Sequence, residues 1–219
     1  MKVILFGATG MVGQGVLREC LLDPRVDAVL TVGRKAAGQS HAKLKELEQT
    51  DLFDYSNIER ELKGYDACFF CLGVSSAGMQ EADYQHITYD LTLAAATALA
   101  RLDPGMTFIY VSGTGTDSGE RGRIMWARVK GKTENALLKL PFKAAYMFRP
   151  GIIRPLHGIK SKTPLYRAFY IVLGPLLWLV GALSPRLTTT TEQVGRAMIN
   201  ASLSGAPKTL LENADINHL

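Results

Sequence analysis

The sequence predicts an α/β protein: one domain on a doubly wound parallel sheet, with a small apolar lid or interface segment over about residues 155–190. Three observations carry that expectation. Short apolar runs alternate with helix-length segments, the order that builds a parallel sheet covered on both faces. A glycine trio, Gly7-Ala8-Thr9-Gly10-Met11-Val12-Gly13, sits between the first apolar run and the first helical segment. No linker, repeat or low-complexity stretch divides the 219 residues, a length that suits a single core.

In order, residues 3–6 read as the first strand and 11–22 as a helix stopped by Asp23-Pro24. Residues 28–32 form the second strand. A polar helical segment from about Ser40 leads to a short third strand before Asp51. Residues 57–63 are helical and 67–72 are the fourth strand. A long helix over 81–101 ends at Asp103-Pro104-Gly105, and 107–111 is the fifth strand. Helix 124–140 and strand 144–148 follow. A last helix over 191–203 opens on Thr189-Thr190-Thr191-Glu192, read as a capping box, and 208–212 adds a seventh strand.

Composition narrows the classes. Apolar residues make up 47% and charged residues 21%, which excludes a disordered chain. Three cysteines are too few for a disulfide-stapled secreted fold. Met1 to Phe6 run straight into a strand, with no secretory leader, so the expected location is cytoplasmic, or peripheral at the inner membrane surface. Residues 1–117 carry 10 Lys/Arg against 15 Asp/Glu, whereas 118–167 carry 12 against 2. Such a block suits an anionic ligand or membrane surface, or is a solvated basic face. No nucleic-acid module surrounds it, and the four histidines show no metal-ligand spacing, so neither nucleic acid nor metal is expected. Cys68 and Cys71 have redox spacing, but on a strand residues three apart point to opposite faces, and packing is the better reading.

Each glycine of the loop has a physical task. One turns the chain, one lets backbone approach a diphosphate, and one lets the helix pack close to the sheet. The free amides and positive dipole end of the helix then face the phosphates. The expected cofactor contacts are Gly7, Thr9, Gly10, Met11, Val12 and Gly13. After the second strand, Arg34 and Lys35 replace the acid that would hold a ribose 2′-hydroxyl, which points to NADP(H) over NAD(H). Asp51 and Leu52 fall near the adenine, and Cys71, Leu72 and Gly73 border the ribose.

With those residues stand further signals. Tyr110-Val111-Ser112-Gly113 ends the fifth strand, Trp126-Ala127-Arg128-Val129-Lys130 opens a helix, and Arg149-Pro150-Gly151-Ile152-Ile153 follows the sixth strand. Over about residues 1–155 the chain resembles the short-chain dehydrogenases and their NAD-dependent epimerase/dehydratase relatives, and most of all the small atypical branch of NmrA-like and Tat-interacting-protein-like members. The resemblance implies a Rossmann fold, Ser112 polarising a substrate carbonyl, Lys130 holding the nicotinamide ribose, and Pro150, Gly151 and Ile152 flanking the nicotinamide. It also implies a tyrosine four residues before the lysine, and there Trp126 stands instead. An indole N–H donates a hydrogen bond but does not titrate near neutral pH. Tyr84, Tyr89 or a water relaying to Lys130 could replace the lost proton donor. Two readings stay open: an NADP(H)-dependent oxidoreductase or epimerase-like enzyme on a small or apolar carbonyl or alcohol, and a non-catalytic NADPH-binding sensor or assembly protein.

The charge-free run 168–183 is the most unusual stretch. It is short for a membrane span and is broken by Pro175. As a pocket lid or homodimer face it would be buried. As a shallow membrane contact through 160–183 it would use Lys160, Lys162 and Arg167, with Tyr170 and Trp178 as interfacial anchors.

Overall fold

The computed structural model describes residues 1–159 and 187–219. The first strand, β1 (Lys2–Phe6), explains the architecture: Val3, Ile4, Leu5 and Phe6 are all fully buried, on both of its faces. Val3 and Leu5 join one apolar cluster with Phe69, Val16, Leu17, Val194 and Met198. Ile4 and Phe6 join another with Phe70, Phe108, Leu62, Ala95 and Leu99. A strand buried on both faces reads as a continuous apolar run rather than an alternating one.

Around it, β2 (Ala28–Gly33), β3 (Leu44–Glu48), β4 (Ala67–Phe70), β5 (Thr107–Val111), β6 (Ala144–Arg149) and β9 (Leu210–Glu212) form a seven-stranded sheet of order β3-β2-β1-β4-β5-β6-β9. Every pairing is parallel. A second, two-stranded parallel sheet joins β7 (Ile152–Arg154) to β8 (Thr188–Thr190). The helices are α1 (Met11–Leu22), α2 (Glu59–Leu62), α3 (Glu81–Gln85), α4 (Leu91–Leu102), α5 (Met125–Leu137), α6 (Thr191–Ser204) and α7 (Asn213–His218). Side chains of α1 and α6 supply one cluster; those of α2, α4 and the end of α5 supply the other. The doubly wound sheet is therefore present, and strand order reverses between β1 and β4, where a crevice must open at the carboxyl ends.

Local expectations fail in identifiable ways. No helix forms near Ser40; after β2 the chain runs as loop and turn into β3, because Glu46 and Glu48 draw the loop amides of Ala37 and Ala36 onto their carboxylates. The long helix is interrupted by a π turn, His86–Asp90, between α3 and α4. At α6 the cap is Thr190, whose hydroxyl accepts from Gln193 N at 3.0 Å, with no reciprocal bond. A reciprocal capping box occurs instead on α7, between Glu212 and Asp215.

Candidate functional site

The glycine loop ends β1 and opens α1 under tight steric control. Gly7 has φ +81°, and a Cβ on it would lie 2.7 Å from the Cys71 carbonyl carbon. A Cβ on Gly13 would lie 2.1 Å from the Gly7 carbonyl oxygen, so α1 reaches the strand only without a side chain there. Gly10 is the N-cap of α1; its amide donates to Gly7 O at 2.9 Å, and no side chain caps the helix. The first-turn amides of α1 are thus left to whatever occupies the crevice, and no acidic residue in that turn opposes an anion. This glycine cradle fits a dinucleotide's diphosphate.

Two hollows meet at the loop. The smaller, about 370 Å³, is lined by Gly7, Ala8, Thr9, Thr31, Val32, Gly33, Arg34, Lys35, Leu52 and Leu72. Asp51 is not in that lining; it is exposed, and its carboxylate accepts from Phe53 N at 2.8 Å within its own turn. The larger, about 720 Å³, runs from Gly10, Met11 and Val12 past Cys71, Leu72 and Gly73 to Ser112, Trp126, Lys130, Pro150, Gly151 and Ile152. These residues come from the connections that follow four different strands and from α5, and the fold brings them to one cleft.

Within the cleft, Trp126, Lys130 and Glu134 follow at four-residue steps along α5, on one stripe of the helix. Lys130 donates to the Ser112 carbonyl oxygen. Burial brings its ammonium down to about 8, against the opposing pull of the Glu134 carboxylate. Ser112 is nearly buried, its hydroxyl 2.5 Å from Glu134 Oε1. Glu134 is wholly buried and held by Arg149, whose Nε donates to Oε1 at 3.0 Å and whose Nη2 donates to Oε2. Glu134 is the residue that sequence reasoning missed, although its spacing from Lys130 was a usable signal.

Of the two candidate phenols, Tyr84 lines the cleft and Tyr89 does not. Tyr89 sits on a separate groove with Phe53 and Arg101, under the Lys132 ammonium at 4.6 Å. Cys68 packs in one core cluster while Cys71 packs against the other, and burial pushes both thiols up, which suits packing rather than redox exchange. Among the described residues no group of side chains could hold a metal ion. At the far end, Gly151 N donates to Asn213 Oδ1 at 2.8 Å, and Asn213 Nδ2 donates to Thr188 O at 2.9 Å, so α7 ties the Pro150–Ile152 segment to β8.

Comparison with known proteins bears on these readings. Residues 3–121 match the NAD dependent epimerase/dehydratase family. The chain is 29% identical over 215 residues to the protein FMP52-2, mitochondrial, of Scheffersomyces stipitis, covering 95% of this chain and 90% of that one. It is 28% identical to protein HTATIP2 of Rattus norvegicus, covering 100% and 88%. Among solved structures, WbmF of Bordetella bronchiseptica in complex with NAD+ superposes with TM-score 0.68 at 15% identity, covering 99% and 76% of the two chains. DesIV, a dTDP-glucose 4,6-dehydratase of Streptomyces venezuelae with NAD and TYD bound, superposes with TM-score 0.70 at 16% identity, covering 97% and 75%.

Two expectations are corrected. The expected preference for NADP(H) over NAD(H) is overturned: WbmF and DesIV, which share this fold, were captured with NAD. Locally, Arg34 and Lys35 are exposed, and the two amides that follow them are taken by the Glu48 and Glu46 carboxylates, so acid stands beside base. The cytoplasmic location is overturned by the relatives, since FMP52 proteins of several fungi are named mitochondrial. The lid, dimer face and membrane contact expected over 160–183 lie outside the described residues. Among the described residues no helix is long and apolar enough to cross a membrane.

With the family's sequence match spanning the glycine cradle, and the family's sheet carrying it, the chain belongs to the NAD dependent epimerase/dehydratase family, consistent with its HTATIP2-like branch.

Proposed function

We propose that the protein is an NAD(H)-dependent oxidoreductase or epimerase-like enzyme acting on a small, apolar alcohol or carbonyl compound, with Lys130 exchanging the proton that a tyrosine handles elsewhere in the family. One observation carries the reading: Lys130, its ammonium brought to about 8 by burial, lines the same cleft as the open amide end of α1. A group titrating near working pH is suited to general acid–base catalysis.

The loop Gly7–Gly13 would hold the diphosphate, Leu52 and the β2 end the adenosine, and Cys71–Gly73 with Pro150–Ile152 the nicotinamide riboside. When bound, the nicotinamide supplies two-electron redox chemistry. The chain's own residues do the rest. Lys130 holds or releases a proton at Nζ, while Trp126 offers an indole N–H as donor and a broad apolar face that excludes water. Met11, Val12, Leu72, Val111, Ile152 and Ile153 make most of the remaining wall apolar, which favours an apolar substrate.

The test is turnover with NAD+ or NADH over a panel of apolar alcohols and carbonyl compounds. Below about pH 8 Lys130 carries its proton and serves as acid; above it, as base. Reduction should therefore fade as pH climbs past about 8, and oxidation should grow over the same interval. Lys130→Ala should lower turnover about 10²–10⁴-fold. Trp126 favours a second reading, a cofactor-binding protein without turnover. NAD(H) binding with no reaction on any panel member, in wild type and in Trp126→Tyr alike, would establish that reading instead.

A further inference from the structure

Ser112 lines the cleft at 7% exposure, yet both partners of its hydroxyl lie on the protein side. The Oγ is 2.5 Å from Glu134 Oε1 and 3.1 Å from the Phe148 carbonyl oxygen. A serine hydroxyl has one proton and two lone pairs, whereas a carboxylate and a carbonyl oxygen only accept. Whichever of the two takes the proton, the cleft is offered an acceptor. The carboxylate is the closer and, being charged, the stronger competitor.

This arrangement is fixed from every side. Arg149 grips both carboxylate oxygens of Glu134 and is itself held by Ser118 Oγ at 2.6 Å and Glu212 Oε1 at 3.2 Å. The Ser112 amide donates to Phe148 O at 2.8 Å, and the Ser112 carbonyl accepts from Lys130. A carbonyl ligand brought to Ser112 would set acceptor against acceptor, or would require the bond to Glu134 to break. An alcohol brings its own O–H.

We propose that Glu134 is a positioning residue that turns the Ser112 proton inward, so that the cleft reads a ligand's hydroxyl and prefers an alcohol to the matching carbonyl compound. The inference rests on the cleft being the substrate site of an NAD(H)-dependent enzyme, and it names the form in which that substrate is held.

The test is calorimetry on the full chain with NAD+ present, using ligands that cannot react with it. Two pairs matched in size serve: 1-methylcyclohexanol against 2-methylcyclohexanone, and 2-methyl-2-decanol against 2-undecanone. One hydrogen bond gained should favour the tertiary alcohol by about tenfold in wild type. That ratio should fall to about one in Ser112→Ala and Glu134→Gln and survive in Ser112→Thr, with NAD+ affinity unchanged throughout. Should Glu134→Gln fail to fold, Ser112→Ala, which leaves the Glu134–Arg149 pair whole, decides the matter. A ketone bound as tightly as its alcohol in wild type, an alcohol preference that survives Ser112→Ala, or no binding by either pair overturns the inference. Those results leave the functional reading standing if NAD+ still binds; absence of heat with NAD+ itself sinks that reading as well.

Discussion

At the residue scale, Gly13 and Gly10 make a graded test of the cradle. A methyl on Gly13 would stand 2.1 Å from a backbone oxygen, which no rotamer relieves, so α1 must retreat from β1. Gly13→Ala should lower Tm and abolish NAD+ binding in the same calorimetric titration. A methyl on Gly10 would meet Gly7 O at 3.3 Å, a contact that a few tenths of an ångström relieve. Gly10→Ala should keep its Tm and bind NAD+ more weakly. These glycines were legible because their task is local: seven consecutive residues contain both the turn and the helix start. Ser112, Trp126 and Lys130 were picked out by a family resemblance carried on short motifs, and the fold brings all three to the cleft. The bonds that set the Ser112 proton were not, because Glu134 reaches it from α5 and Arg149 braces Glu134 from β6. Arg34 and Lys35 misled for a related reason. A line of sequence shows two adjacent cations and hides the carboxylates that β3 lays alongside them.

At the scale of elements, buried strands and amphipathic helices were read nearly to the residue, while irregularities were not. The π turn is a case in point. A regular helix already sets residues five apart about 140° apart, and Tyr84 lines the cleft while Tyr89 lines the outer groove; the π turn at His86–Asp90 shifts the register of every residue that follows it. Nothing in the composition of that stretch marks the insertion. The α5–β6 junction gives a sharper energetic expectation. Glu134 has no exposure, so removing its cation strands a charge away from water. Arg149→Met should cost about 3–5 kcal/mol in urea unfolding, and adding Glu134→Leu should recover much of that loss. At the start of α6, Thr190→Ala removes the hydroxyl that accepts from Gln193 N and should cost about 1 kcal/mol by the same measurement.

For the whole molecule, titration of one side chain ties chemistry to stability. Lys130 loses its proton near pH 8 when folded, whereas a free lysine keeps it to about 10.5. Between those values the unfolded chain binds the extra proton, so this residue's contribution to stability increases with pH across the window. The buried thiols Cys20, Cys68 and Cys71, all pushed up, act in the opposite sense at the upper end. The informative quantity is therefore the difference in stability between wild type and Lys130→Met, which should shift in favour of wild type from pH 8 to pH 10.5. The doubly wound parallel class was legible, since alternating segments and a leading glycine loop leave few topologies. The small β7–β8 sheet and α7 were not, being three to six residues long and held chiefly by partners distant in sequence.

The tie from Asn213 to Gly151 and Thr188 has a bearing on how the protein is made. The amides of α1 leave a ribosome well before the opposite wall of the crevice can be tied, since that wall waits for Asn213. A nascent chain can thus carry its diphosphate cradle and still be unable to clasp the nicotinamide half until Asn213 has been added. Coenzyme retention would then act as a proofreading mark, separating chains that carry Asn213 from those cut short before it.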